Sequence, residues 1–203
     1  MYAVVENNNI TQFINNPKSI VIADVRYPAK IFTMWSQAEK EAIGIYEIIT
    51  DSTNYKDPAY YNNTNEQYTF ANGQVTKSWG TATAKRLEDE NAVDEDGNNI
   101  LEDGVQVINY GLKTEKKKIV KQQASGLLAP TDWYVVKATE VADYSVPSNI
   151  TTFRADVRTK SNEMETMINN CTTVDELKAL YEYTEQQDGT FTRPLPEFPK
   201  EVI

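Results

Sequence analysis

Histidine is missing altogether from this chain of 203 residues, and cysteine occurs once, at Cys171. Without an imidazole, neither a Ser-His-Asp nor a Cys-His arrangement can be built to activate a nucleophile. Zinc and haem sites of the usual kinds lose their main ligands for the same reason. One thiol cannot close an internal disulfide, so a disulfide-stapled scaffold is excluded. Glycine-rich phosphate loops are absent too, in both their Walker and dinucleotide-binding forms. No apolar run approaches the roughly 20 residues that span a bilayer, and the first residues, MYAVVENNNITQF, carry neither the basic nor the apolar stretch of a secretory signal. The expectation is a soluble cytoplasmic protein, not an enzyme, with no cofactor and no membrane partner.

Positive charge is scarce. Lys and Arg number 20 against 30 Asp and Glu, a net charge of -10, and an acidic surface repels phosphate backbones. Nucleic acid is therefore not an expected partner. The exception is KTEKKKIVK, where Lys116, Lys117, Lys118 and Lys121 fall on one segment. A solvated helix face accounts for them, and a docking face for an acidic partner is the functional alternative.

Carboxylates could still do acid–base work or hold a divalent cation. Placing Gly97 at the sixth position of a calcium loop puts Asp94 and Asp96 at the third and fifth. The first position is then Ala92 and the twelfth Asp103, so the pattern lacks its first ligand and its bidentate glutamate. Glu39 with Glu41, and Glu163 with Glu165, stand two apart and do not face each other on a helix. A solvated acidic turn is the reading for 94–103, and no metal is expected; a carboxylate-metal hydrolase using Asp94 or Asp96 is the enzymatic alternative.

What the chain does contain is a change of periodicity. Residues 2–5 and 10–14 read as strands around an Asn-rich turn, and 19–25 as a further β-branched run. Ser36 and Glu39 have capping-box spacing, predicting a short helix over 37–43 that ends at Gly44 and leads into a strand over 45–49. Asn72-Gly73 marks a type I′ hairpin, and 85–104 an acidic loop or hairpin arm. From 111 the period becomes helical: Leu112, Ile119, Val120 and Ala124 share a side, and the helix stops at Gly126 or at Ala129-Pro130. A second helix follows Ser148, with Ile150, Phe153, Val157, Met164, Met167 and Ile168 as its apolar stripe. A third is announced by a capping box at Thr173 and Glu176. The chain is thus α+β: a β-rich part over 1–110 with one short helix, a helical part over 111–188, and a Pro-rich extended tail over 189–203.

Between the first two long helices stands GLLAPTDWYVV. Its Thr131 and Asp132 suit a backbone-bonded turn. Trp133 is expected to lock a helical hairpin by packing between Leu127-Leu128 and the helix that bears Phe153 and Val157; a partner contact is the alternative. Arg154 and Arg158, one turn apart, are placed to pair with Asp132 or Glu140. Tyrosine is abundant, at 12 residues. Tyr55, Tyr60 and Tyr61 lie in a loop without periodicity, which suggests a binding surface, because tyrosine buries area at little conformational cost.

The stretch SGLLAPTDWYVVKATEVADYSVPSNITTFRADVRT resembles a pattern found in bacteriophage tail-fibre assembly proteins and related small phage tail proteins. The residues carrying it are Leu127, Leu128, Thr131, Asp132, Trp133, Glu140, Pro147, Phe153, Arg154, Val157 and Arg158. AVVENNNITQFI and YPAKIFTMWSQAEKEAIGIYEI look like the leading portions of similar proteins of marine phages. The chain departs from the pattern at Glu140-Val141-Ala142, where a glycine often stands in third place, and at Phe153-Arg154, where Tyr-Arg is commoner. The resemblance implies a non-enzymatic chaperone-like tail protein, binding a tail-fibre or other tail component in the host cytoplasm during assembly. A permanent structural protein of the virion tail is the alternative, and self-association into a homo-oligomer is open in both.

Overall fold

Two adjacent asparagines turn the chain at its first corner. β1 (Tyr2–Glu6) pairs antiparallel with β2 (Asn9–Ile14), and the link holds Asn7 at φ 51° and Asn8 at φ 62°. A type I′ turn needs both values positive, and asparagine tolerates them. The register shifts between Val4 and Val5. Ile10 and Ile14 are four apart and would share a face in an unbroken strand; the bulge sends Ile14 to one side of the sheet and Ile10 to the other.

The computed structural model describes residues 1–201, and packing divides the chain into two units, Met1–Ala84 and Lys85–Ile203. In the first unit the run over 19–25, expected as one strand, is a hairpin. β3 (Ile20–Ile22) and β4 (Val25–Tyr27) meet at Ala23 and Asp24, both at positive φ. Alanine is no turn signal, because its Cβ disfavours that conformation, so the sequence reads straight through.

α1 (Ile31–Met34) and α2 (Gln37–Glu41) follow. The capping box forms as its spacing predicts: the Ser36 N–H donates to Glu39 at 2.7 Å, and the Glu39 N–H donates back to the Ser36 hydroxyl. Gly44 sits at φ +84°, and a Cβ there would stand 2.6 Å from the carbonyl oxygen of Val5. β5 (Ile45–Thr50), β6 (Tyr61–Asn62), β7 (Gln67–Ala71), β8 (Gln74–Ser78) and β9 (Thr83–Ala84) complete the unit. The main sheet has the order β2-β1-β5-β8-β7, with β5 and β8 parallel. It curls enough that Phe13 of β2 and Tyr68 of β7, on opposite edges, lie 4.5 Å apart. Alternation splits the core in two: Val4 and Ile45 pack with Ile20, Ile31 and Phe32 on one face, while Ala3 and Val5 pack with Val75 and Phe70 on the other.

The second unit begins with β10 (Glu90–Asn91), β11 (Leu101–Glu102), β12 (Val105–Gln106) and β13 (Ile108–Asn109). β10 pairs with β13 and β11 with β12, and backbone bonds tie Ala92 to both Ile100 and Val107. The result is a three-way β junction around the buried Ala92. The strands thus extend to residue 109, but residues 85–109 pack in the same unit as the helices.

The helices are α3 (Leu112–Leu128), a 3-10 turn (Ala129–Thr131), α4 (Asp132–Glu140), α5 (Ser148–Asn170) and α6 (Val174–Ala179). α3 packs on α5, Ala124 meeting Phe153 and Val157, and it also buries Leu112 and Val120; Ile119 is left exposed. α5 buries Ile150, Phe153, Val157, Met164 and Ile168 as its spacing predicts, with Arg154 and Ser161 on the same stripe and Met167 half-buried. Pro147, not Ser148, is the residue before its first turn. The second capping box also forms, with the Glu176 N–H donating to the Thr173 hydroxyl at 3.1 Å.

The segment after α6 is less extended than its prolines suggest. β14 (Thr184–Glu185) and β15 (Phe191–Thr192) form a hairpin. Leu195 then returns to the helices, buried, with its N–H on the Leu180 carbonyl at 3.0 Å. Residues 202–203 of the expected tail lie outside the described residues.

Candidate functional site

A helix usually sheds its last carbonyls at a glycine; α3 does not stop that way. It passes through Ala129-Pro130-Thr131 as a single 3-10 turn and continues as α4. Pro130 is tolerated because it stands in a first turn, where its missing N–H would be unpaired anyway. The carbonyl of Leu128 at this joint accepts the Thr131 hydroxyl at 2.6 Å. It also accepts Nη1 of Arg154, which reaches across from α5 at 3.1 Å. The same nitrogen bonds the Thr131 hydroxyl oxygen and stands 2.8 Å from Oδ1 of Asp132.

Thr131 is wholly buried and Arg154 is 9% exposed. A guanidinium so placed is costly unless its donors are met. Here one carbonyl, one hydroxyl and one carboxylate from the α3–α4 joint gather about its Nη1. The joint is a polar lock between two helices, with Arg154 as its bolt and Nη1 as the atom on which its contacts converge.

Beside the lock, Leu127 and Leu128 pack on Ala124, Phe153 and Val157, as the sequence suggests. The aromatic that completes the cluster, however, is Phe198 from the C-terminal segment. The expectation that Trp133 fills this place is overturned. Trp133 is 51% exposed, its ring lying 3.8 Å from that of Tyr134, with the Lys137 ammonium 5.8 Å above it. The reason is helical phase. Because the chain stays helical past Pro130, Trp133 is turned about 200° from the inward-pointing Thr131. α4 buries no residue, and it presents Trp133, Val135 and Val136 outward.

Of the remaining motif residues, Arg158 pairs with neither Asp132 nor Glu140 among the described residues; its Nη1 donates to the Arg154 carbonyl at 3.2 Å. With Lys121, Asp132 and Arg154 it lines a cavity of about 420 Å³. Pro147 supplies the carbonyl that accepts the Thr151 N–H at 3.0 Å and so opens α5.

The tyrosine loop divides. Tyr55 stays on the surface, its ring 4.7 Å from Trp79. Tyr60 and Tyr61, expected to form a contact surface with it, are buried at 5% and 4% exposure. Both of their N–H groups donate to the Asp57 carbonyl, which folds them inward, and β6 then pairs with β9. A loop without periodicity gave no sign of which way its rings point.

Parts of the acidic and basic segments have partners within the chain. Asp94 accepts the N–H groups of Asp96 and Asn98 at 3.0 and 2.8 Å. Backbone bonding from Asn98 foremost holds its carboxyl below the usual carboxylate range. It builds a turn. Lys117 donates to Asn169 at 2.9 Å, Lys121 pairs with Glu165 at 3.3 Å, and Lys116 lies 4.8 Å over the Tyr181 ring. Among the described residues no group of three His, Cys, Asp or Glu could hold a metal ion, and no helix is long and apolar enough to cross a membrane.

Sequence reasoning missed Phe198, because a lone aromatic in a proline-rich tail carries no periodicity, and Phe191 of the same segment stays exposed. It also missed Asp89, whose carboxylate accepts the Gly111 N–H at 2.7 Å and the Thr114 hydroxyl at 2.9 Å. Fold and site together define an α+β protein whose helical unit is bolted by a buried arginine and carries an unburied aromatic helix. Compared with protein-family models, curated proteins and solved structures, the chain matches none.

Proposed function

We propose that this chain is a non-enzymatic bacteriophage tail protein that binds a tail-fibre or other tail component and assists its assembly. The observation carrying the reading is the α3–α4 joint. The residues on which the phage resemblance rests meet there: Leu128, Thr131, Asp132 and Arg154 form the lock. The same lock leaves Trp133, Val135 and Val136 of α4 turned to solvent. A tryptophan turned outward on a helix joined to the lock, with Val136 close to it in helical phase, has the chemistry of an interface anchor. The contact surface of this reading is therefore α4, not the tyrosine loop.

The test is co-purification with the tail-fibre protein of the same phage, for the parent chain and for Trp133→Ala. The expected result is a complex with the parent chain and at least a tenfold weaker one with the variant, whose melting is nearly unchanged. No complex with the parent chain, or equal binding by both, overturns the reading. Mass spectrometry of purified particles then separates an assembly factor from a virion component: stoichiometric presence identifies a permanent tail protein.

A further inference from the structure

The β junction of the second unit carries exposed apolar side chains on both faces of its hairpin. Val93, Ile100, Leu101 and Val105 are exposed by 51%, 40%, 57% and 69%, and the register sets Leu101 and Val105 on opposite faces. Asp94, Glu95, Asp96, Glu102 and Asp103 are interleaved with them in sequence, with no Lys or Arg anywhere between Leu87 and Leu112. Apolar side chains rimmed by charge of one sign mark an interaction surface.

The complementary surface lies on the same chain. Along α3 runs a groove of about 750 Å³ lined by Tyr110, Lys117, Lys118 and Lys121, with Glu115 its one carboxylate. Tyr110 is 62% exposed, and lysine stems add apolar wall beneath their charged heads. Internal partners do not use up this charge. Lys121 remains 67% exposed beside Glu165, and Lys118 has no ion pair among the described residues. In a chain of net charge -10 this is the densest run of positive charge. Of residues 92–110, only Tyr110 reaches the groove's lining, so the arm does not fill the groove of its own chain.

We infer that the occupant of the groove is the acidic arm, residues 92–107, of a second copy of this chain. Arm and groove occur on every copy, so the exchange is reciprocal and gives a two-fold dimer. Opposite charge at the rim and apolar contact within make the pair complementary. A groove of this size admits one hairpin tip, so the two contacts together fall at the low end of stable interfaces. Dissociation on the order of 10 µM is expected. This inference involves no residue of α4 and stands apart from the tail-protein reading.

Sedimentation velocity of the full chain tests it, across about 1–100 µM and at about 0.05 M and 0.5 M salt. The expected result is a monomer–dimer equilibrium weakened at least tenfold by the higher salt. Lys118→Glu with Lys121→Glu reverses the groove, and Glu95→Lys with Glu102→Lys reverses the arm. Each double variant is expected to be monomeric with an unchanged far-ultraviolet spectrum. An equimolar mixture of the two is expected to dimerise again, because each reversed surface meets its match. A parent chain that stays monomeric over the whole range overturns the inference. So does association that survives either reversal, or a mixture that fails to dimerise while both variants remain folded.

Discussion

Thr131 and Arg154 show how few atoms decide the geometry of the helical unit. Thr131 is buried and bonded on both sides, donating to Leu128 and accepting from Arg154. Thr131→Val keeps the shape but removes the hydroxyl, leaving the Leu128 carbonyl and the guanidinium each short of a partner. The expected cost is about 1–3 kcal/mol, read as a lower urea midpoint with unchanged slope. Arg154→Lys keeps the charge, but its ammonium stands one bond nearer the backbone than Nη1, so it reaches the three acceptors of the joint less well and should cost about as much. Asp132→Asn, by contrast, should cost below about 1 kcal/mol, because its carboxylate is largely solvated. The opposite holds at Trp133. As a core residue it would cost about 3–5 kcal/mol on truncation; half-exposed on α4, Trp133→Ala should stay within about 1 kcal/mol by thermal melting.

At the scale of an element, the start of α3 depends on a segment 22 to 26 residues earlier. Its N-cap is Gly111, which has no side chain to offer. The free N–H groups of the first turn are met instead from outside: Leu112 donates to the Arg86 carbonyl, Lys113 to the Leu87 carbonyl, and Gly111 to the Asp89 carboxylate. Lys113, itself buried, pairs with Glu88 and donates to the Asn169 carbonyl at 2.9 Å. A Cβ on Gly111 would stand 2.4 Å from the backbone of Glu88. Gly111→Ala should therefore displace this strap and expose α3 to faster amide exchange in its first turn.

The Gly111 N–H, foremost, holds the Asp89 carboxyl below its usual value. A carboxylate so depressed contributes stability that is fully present above its unfolded pKa of about 3.9. That contribution is lost as pH falls through the lower folded value. Asp89→Asn should thus lower the urea midpoint near neutrality, and the gap from the parent chain should close in acid.

For the whole molecule, the single thiol is a reporter. Cys171 is 6% exposed and its Sγ lies 3.4 Å from the Met167 carbonyl. Burial foremost pushes the thiol up, and a buried thiol reacts poorly because little thiolate forms. Labelling by a thiol reagent should accordingly be slow in buffer and fast in denaturant, following the unfolding of the second unit alone. Leu177→Ala, which empties a fully buried site in the same unit, should cost about 2–5 kcal/mol and speed labelling. Val75→Ala, in the first unit, should leave the labelling rate where it was.

Local chemistry was legible in the sequence. Both capping boxes, both Asn-centred turns and the apolar stripe of α5 are written in residues three or four apart, and neighbours that close act before the rest of the chain arrives. The lack of histidine removed whole classes of mechanism at a glance. The α+β arrangement followed from the change of period near residue 111.

What only the tertiary structure decided is which way side chains face once local patterns end. The bulge at Val4 and Val5 splits Ile10 from Ile14, and an alanine turn cuts a strand in two. One 3-10 turn keeps helical phase across a proline, and so hands the core place of Trp133 to Phe198. The cap of α3 comes from Asp89 across a β junction. Each outcome balances burial against backbone bonding between segments distant in sequence, and that balance has no periodic signature. Leu127, Leu128, Thr131, Asp132 and Arg154 could be picked out from the chain alone; that they bolt a joint and leave Trp133 free required the fold.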